Sequence, residues 1–443
     1  MSIASKLTDL NLVTIPKGQT STQFVLNQLP TAARDSYSIL NVSALERNFN
    51  LWRKELPEVN PFYAMKCNPH ETILKTMRAL GSHFDCASPH EIKLALSTGN
   101  DPKKLIYANP HKTPHSIIQA YKDGVDMFTF DSEFELLKMI ENTPKGSRGR
   151  YVLRILPPDE SSSICKFGVK FGANEYEAER LVRLCAELKK KNDTFDLVGI
   201  SFHVGSGCGS TLSFALAVQF GGRIAKISQN IGMEMNILDI GGGFMTTASE
   251  KHYEKVNKDH GICPPTFQEI AKTLREEIGQ VKQYFSKDLY QLAEPGRFFA
   301  GDCMTLAIRV FSRRILFEYS QDEDRTKLPL TESELVKVKP IQEIKYYVGD
   351  GLYGWFNAII FDHVFPYLEY YRNGQVLNQT EVYPTHIFGP TCDSMDCILQ
   401  DQKLQLLEIG DWVIAPAFGA YTASAATEFN GIPYVNVIGV IEE

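Results

Sequence analysis

Between residues 60 and 300, short apolar runs alternate with amphipathic stretches. Eight runs have the length and the β-branched or aromatic bias of buried strands. They are Phe62–Lys66, His83–Ala87, Leu105–Ala108, Asp126–Phe130, Tyr151–Ile155, Val198–Val204, Asn236–Ile240 and Leu289–Ala293. Helical spacing fills the gaps, as in Glu71–Leu80, Ser88–Ser97, Ser132–Glu141 and Tyr176–Lys190. Successive strand–helix units predict a parallel sheet closed into a TIM-like (β/α)8 barrel, with an open doubly wound sheet as the competing arrangement. Ser43-Ala-Leu-Glu46 has capping-box spacing, so a helix is expected to enter the barrel there.

Outside this region the pattern changes. Residues 1–42 and 304–443 are rich in β-branched and aromatic residues punctuated by Gly, Pro and Asp. KYYVGDG, THIFGPT, DWVIAPAF and YVNVIGVI read as antiparallel strands. The expected class is α/β + β: a barrel over 43–303 and a second, mainly antiparallel β domain built discontinuously from 1–42 and 304–443. Residues 245–265 and 319–340 are polar and read as loops.

Composition narrows the class. A chain of 443 residues suits two domains, and 43% apolar, 11% aromatic and 22% charged residues suit a globular enzyme. Net charge is −7 with no block of five like charges, which argues against nucleic acid and anionic membrane as partners. No run of 18 apolar residues exists to span a membrane. The N-terminus has no basic region followed by an apolar run, so no secretory leader is expected, and a reducing, cytoplasmic location is. Nine cysteines at irregular spacing, without CxxC, predict neither a disulfide framework nor a zinc site; no metal is expected.

Barrel chemistry sits where strands end at the C-terminal face. That rule selects Lys66, Asp85, Arg154, His203, Gly241-Gly242-Gly243, and Glu294 with Arg297. Lys66 is either a snorkelling edge residue or an amine that desolvation makes nucleophilic. The glycines after the seventh strand let backbone N–H groups approach an anion, and a phosphate is the usual occupant there; an empty turn is the alternative. His203-Val-Gly-Ser206 permits the same close approach, with His203 a base, a metal ligand, a stacking ring or a satisfied core residue. Glu294-Pro-Gly296-Arg297 is a structural ion pair, or else divides into a carboxylate for a cationic ring nitrogen and a planar donor for phosphate. Together these groups supply an amine for an aldehyde, a carboxylate for a pyridinium and donors for a phosphate. Pyridoxal 5'-phosphate has those three features.

FYAMKCNP, FDCASPHE, SFHVGSGC, LDIGGGF, AEPGRFF, YGWFNAIIFDH, GPTCDSMD and GAYTASAATEFNG resemble, in order and over nearly the whole chain, the eukaryotic-type ornithine decarboxylases. These belong to the barrel-fold pyridoxal-phosphate decarboxylases. The resemblance implies decarboxylation of L-ornithine to putrescine and carbon dioxide in polyamine biosynthesis. It also implies a homodimer whose active sites are shared between subunits. Residue by residue, it makes Lys66 the Schiff-base lysine, His203 the ring stacked on the cofactor, and Glu294 the partner of the ring nitrogen. Ser206, Gly243, Arg297 and Tyr421 fall at the phosphate, and Asp85, Glu91, Arg154, Gly242 and Gly296 around the cofactor. Cys392 resembles the proton donor from the neighbouring subunit. Asp362 and Asp393 resemble the carboxylates for the substrate's distal ammonium, with Phe361, Tyr353 and Phe429 beside them.

The chain departs from the family pattern at Ser394, where glycine is usual, and at Phe361, where many members carry tyrosine. Gly349 replaces a common asparagine, and Trp355 stands where a small residue is frequent. The degradation tail of the vertebrate enzymes is not seen. One methylene discriminates by only about 1–3 kcal/mol, so a lysine or arginine decarboxylase of the same family remains the alternative. A non-catalytic, antizyme-inhibitor-like regulator is a further one. No antizyme-type binding element is legible.

Overall fold

The computed structural model describes residues 3–28, 34–157, 170–246, 265–363 and 366–443. Eight parallel strands follow one another in chain order and close into a barrel. They are Val59–Ala64, His83–Cys86, Leu105–Tyr107, Met127–Phe130, Gly149–Arg154, Phe195–Ser201, Ile237–Asp239 and Tyr290–Ala293. The eighth returns to the first, with Gln291 opposite Val59 and Ala293 opposite Pro61. This is the barrel that the strand–helix alternation predicts.

Phe62, Ile106, Met127, Val152, Ile237 and Leu292, each from a different strand, form one buried cluster. Outside it, Trp52 packs against Phe244, Phe267, Phe298 and Phe299 with ring centroids 5.0–5.8 Å apart. That aromatic layer ties the entering helix to the loops after strands seven and eight.

Helix starts follow local polar chemistry. The Ser88 and Ser132 hydroxyls accept the N–H groups of Glu91 and Glu135, so both serines cap helices rather than begin them. Asn174 and Glu177 form a reciprocal capping box. The entering helix spans Val42–Glu55, which puts Ser43 inside its first turn and not at the expected cap. The apolar runs also continue past the last ladder bonds. Lys66 therefore sits in a single 3-10 turn, Met65–Cys67, and His203 lies two residues beyond its strand.

The chain divides into two units, 1–11 with 42–303 and 12–41 with 304–443. The first residues group with the barrel because Ile3 and Leu7 are buried, Lys6 Nζ donates to Ala79 O (3.0 Å) and Lys75 pairs with Asp9 (2.8 Å). The expected domain boundary gave them to the β domain.

The second unit is organised around the long strand Met304–Phe317, which pairs antiparallel with Ser36–Asn41, Ile341–Val348 and Trp412–Ala415. Asn436–Glu442 lies between Val13–Ile15 and Ser36–Asn41, parallel to both. Ile341–Val348 and Tyr383–Phe388 are also parallel, whereas the sequence reading had these segments antiparallel. Their connection is long enough for a crossover, which alternating hydrophobicity cannot reveal. The remaining described pairings are antiparallel. The stretch 319–340, expected as loop, contains the helix Glu332–Val338. Of the other expected loop, residues 247–264 lie outside the described residues.

Candidate active site

The first and second barrel strands bring an amine to a carboxylate. Lys66 Nζ stands 3.2 Å from Asp85 Oδ2. The Asp85 side chain is 1% exposed and that of Lys66 is 42%, so the carboxylate is enclosed while the amine is reachable. Asp85 Oδ1 is buried and accepts no hydrogen bond from the described residues. Glu91, on the helix after strand two, accepts the Ala87 N–H at 2.5 Å, and burial pushes its carboxyl up.

Strands seven and eight end in a carboxyl pair. Asp239 is the last residue of strand seven, and Glu294 follows strand eight directly. Burial raises both groups, and each has a nearby carboxylate that raises it further: Glu294 for Asp239, Asp85 for Glu294. The Lys66 and Arg154 charges pull Glu294 the other way. Two enclosed carboxyls this close do not both ionise cheaply, so the pair keeps a proton near neutral pH. Asp239 Oδ1 also accepts the Gly241 N–H at 2.8 Å and so shapes the glycine turn.

Burial, with Arg154 and Lys66 nearby, holds the His203 imidazole well below its usual value, so the ring is neutral. Nδ1 accepts the Gly205 N–H at 2.9 Å, which leaves the proton on Nε2.

Beside these groups lies a cradle of donors. Arg297 opens the short helix Arg297–Ala300, and its Nη2 is 3.1 Å from Ser206 Oγ; both residues are buried. Gly243 has φ +104°, and a Cβ there would stand 2.6 Å from the Gly205 carbonyl. A Cβ on Gly242 would stand 2.8 Å from the Glu294 carbonyl and 3.1 Å from His203 Nε2. One on Gly296 would meet Cys67 Cβ at 2.7 Å. The loops after strands one, six, seven and eight thus pack at distances only glycine allows.

The second unit assembles its own group. The Tyr353 hydroxyl donates to Asp393, and the Tyr353 ring stacks on Phe429 with centroids 4.3 Å apart. That hydrogen bond holds the Asp393 carboxyl below its usual range. Cys392 is exposed, and its N–H donates to Asn430 Oδ1 at 3.0 Å. Asp362 ends the short helix Ala358–Phe361 and is buried, while Phe361 is 68% exposed. Tyr421 adopts φ +56° in a neighbouring loop, which Asn357 Nδ2 ties down through Thr422 O at 2.6 Å. Trp355 is buried, and its N–H donates to Asp350 Oδ2 at 2.8 Å.

The structure therefore clusters Lys66, Asp85, Arg154, His203 and Glu294, sets Arg297 against Ser206, and separately joins Tyr353, Asp393 and Phe429. Asp239 and Asp350 are buried acids that the sequence reading assigned no role. An acid just before glycines is a signal for Asp239, but it reads equally well as a turn former.

Comparison with known proteins agrees with this arrangement. A family model described as pyridoxal-dependent decarboxylase, pyridoxal binding domain, matches residues 42–301. Ornithine decarboxylase of Rattus norvegicus is 34% identical over 92% of this chain and 81% of its own. Antizyme inhibitor 2 of Xenopus laevis is 35% identical over 92% and 81%. Among solved structures, the Paramecium bursaria Chlorella virus arginine decarboxylase superposes with a TM-score of 0.78 at 30% identity, covering 95% of this chain and 100% of that one. With lysine, paired acids, donor cradle and barrel in place, the chain belongs to the pyridoxal-dependent decarboxylase family, and its cofactor is pyridoxal 5'-phosphate.

Proposed function

We propose that the protein decarboxylates L-ornithine to putrescine and carbon dioxide, the first step of polyamine biosynthesis. The observation that carries this reading is a Lys66–Asp85–Glu294 cluster in the barrel unit and, in the β unit by itself, a carboxylate, Asp393, that Tyr353 keeps ionised. The first suits the cofactor, and the second suits a substrate with a distal ammonium.

The residues present fit the cofactor. Arg297, Ser206 and the turns at Gly242, Gly243 and Gly296 offer donors to its phosphate, with Tyr421 a further one. Lys66 supplies the amine for its aldehyde. Bound there, the cofactor provides a ring that takes up the electrons left when a carboxylate departs as carbon dioxide. Glu294 would hold a proton at the ring nitrogen, and Asp239 is the buried acid beside it. His203, neutral and flat, would stack on the ring. Asp85, Glu91 and Arg154 set the charge around these groups.

On the substrate side, Asp362 and Asp393 accept the distal ammonium, with Phe361, Tyr353 and Phe429 as walls. Cys392 delivers the proton to the α-carbon. Its exposure, with that of Phe361 and of Met395, supports a homodimer in which this surface completes the partner's barrel. The proposed location is the cytoplasm, and no helix among the described residues is long and apolar enough to cross a membrane.

Two other readings have support. The arginine decarboxylase neighbour keeps arginine open as a substrate, a lysine decarboxylase of Selenomonas ruminantium of the same fold keeps lysine open, and the antizyme inhibitor relative keeps a non-catalytic role open. Labelled carbon dioxide release from ornithine, lysine and arginine in parallel tests all three. Ornithine is expected to give the highest kcat/KM. A higher value for lysine or arginine reassigns the substrate, and release from none of the three by a cofactor-loaded protein overturns the enzymatic reading.

A further inference from the structure

Arg154 ends the fifth barrel strand, and its charge bears on both His203 and Glu294. A guanidinium on a long stem needs packing to aim it. The segment 170–173 provides that packing. Ala173 N–H donates to Arg154 O at 3.0 Å and Leu156 N–H to Ala173 O at 2.8 Å, which lays the segment alongside the strand end. Gly172 between them has φ +108°, and a Cβ there would stand 3.0 Å from the Ile155 carbonyl. Its N–H donates to Asp131 Oδ2 at 2.8 Å.

Phe171 is thereby fixed at the barrel mouth. The Arg154 Cζ lies 5.3 Å from its ring centroid, and Lys170 Nζ lies 4.9 Å away. The His111 ring stacks on it at 5.8 Å with planes 26° apart. His111 Nε2 is 3.2 Å from Asp131 Oδ1, the second oxygen of the carboxylate that holds Gly172. One enclosed carboxylate thus holds His111 directly and Phe171 through the Gly172 backbone, and the less exposed ring, Phe171, carries the arginine.

We infer that His111, Phe171 and Asp131 form a positioning device for Arg154. The stack holds the guanidinium toward the Glu294–His203 centre and so sets how tightly the cofactor is kept. His111 and Phe171 act only through Arg154. This rests on the proposed reading that Arg154 serves the cofactor.

Equilibrium dialysis of the holoenzyme reads the cofactor's dissociation constant directly. Phe171→Leu and His111→Ala are each expected to weaken retention about five- to tenfold, the range a desolvated cation–ring contact can supply. His111→Phe keeps a flat ring but loses the Asp131 anchor, so its retention should fall between wild type and His111→Ala. Arg154→Met should lose at least as much as Phe171→Leu, and the double variant should be no weaker than Arg154→Met alone, because both changes remove one contact. Additive losses would show that Phe171 acts independently of Arg154 and overturn the inference. So would an unchanged Phe171→Leu beside a weakened Arg154→Met, which leaves the Arg154 assignment standing. An unchanged Arg154→Met removes that assignment and the inference with it. Should Phe171→Leu fail to fold, His111→Ala, at a half-exposed side chain, replaces it in the same cycle with the same outcomes.

Discussion

At the scale of single residues, the decisive contrast is between Lys66 and the lysines that merely reach for solvent. A snorkelling lysine ends in water, whereas Lys66 Nζ meets a carboxylate that is itself enclosed. Borohydride reduction of the holoenzyme should therefore fix cofactor to the peptide containing Lys66, and Lys66→Ala should abolish turnover, a loss of at least about a thousandfold for a covalent role, without lowering the melting temperature. Label on any other lysine would refute the assignment. Lys66, Glu294 and Arg297 are legible in the sequence because the barrel rule turns a strand end into a place. His111 is not, because its partners Asp131 and Phe171 are distant in sequence and meet it only once the loops after strands three, four and five are folded. Asp350 is hidden for a similar reason, since KYYVGDG reads as strand plus turn and nothing in it announces burial.

At the scale of elements, the turn Asp350–Trp355 shows how a loop can be held by an acid. Asp350 is enclosed and accepts the Trp355 N–H, and a Cβ on Gly354 would stand 1.8 Å from its Oδ1. Burial pushes its carboxyl up to about 7, with the Trp355 and Gly351 N–H groups opposing. A folded-state value above the usual 3.8 means that the protonated form is favoured by folding. The corresponding stability is complete below the unfolded value and is lost as pH climbs from there toward 7. Denaturant unfolding at a series of pH values should show wild type losing a few kcal/mol relative to Asp350→Asn across that window, at about 1.4 kcal/mol per pH unit at most. Parallel curves would mean that Asp350 is ionised throughout. The elements themselves were legible to different degrees. Helix caps follow from Ser, Asn and Thr chemistry within one turn. The parallel pairings of Asn436–Glu442 and of Ile341–Val348 depend on distant partners, and alternation carries no information about direction.

At the scale of the molecule, the barrel carries Lys66 and the β unit carries Cys392, and the proposed dimer joins the two across subunits. Lys66→Ala and Cys392→Ala homodimers should each be nearly inactive. After subunit exchange at equal amounts, about half the dimers are mixed, and each holds one doubly damaged and one intact site, so activity should return to about a quarter of wild type. No recovery, with exchange verified by mass or labelling, would place both residues in one chain's site. The β unit's construction has a consequence for biosynthesis. Its strand Asn436–Glu442 is inserted between two strands from the first 41 residues. During translation the barrel can form as its residues emerge, but those two early strands must wait for residues 436–442 before the ladder between them can close. Until residues 436–442 emerge, Val13–Ile15 lacks its described sheet partner and Ser36–Asn41 keeps an open edge, so the nascent chain carries two early strands exposed to wrong pairing while about 390 residues are added.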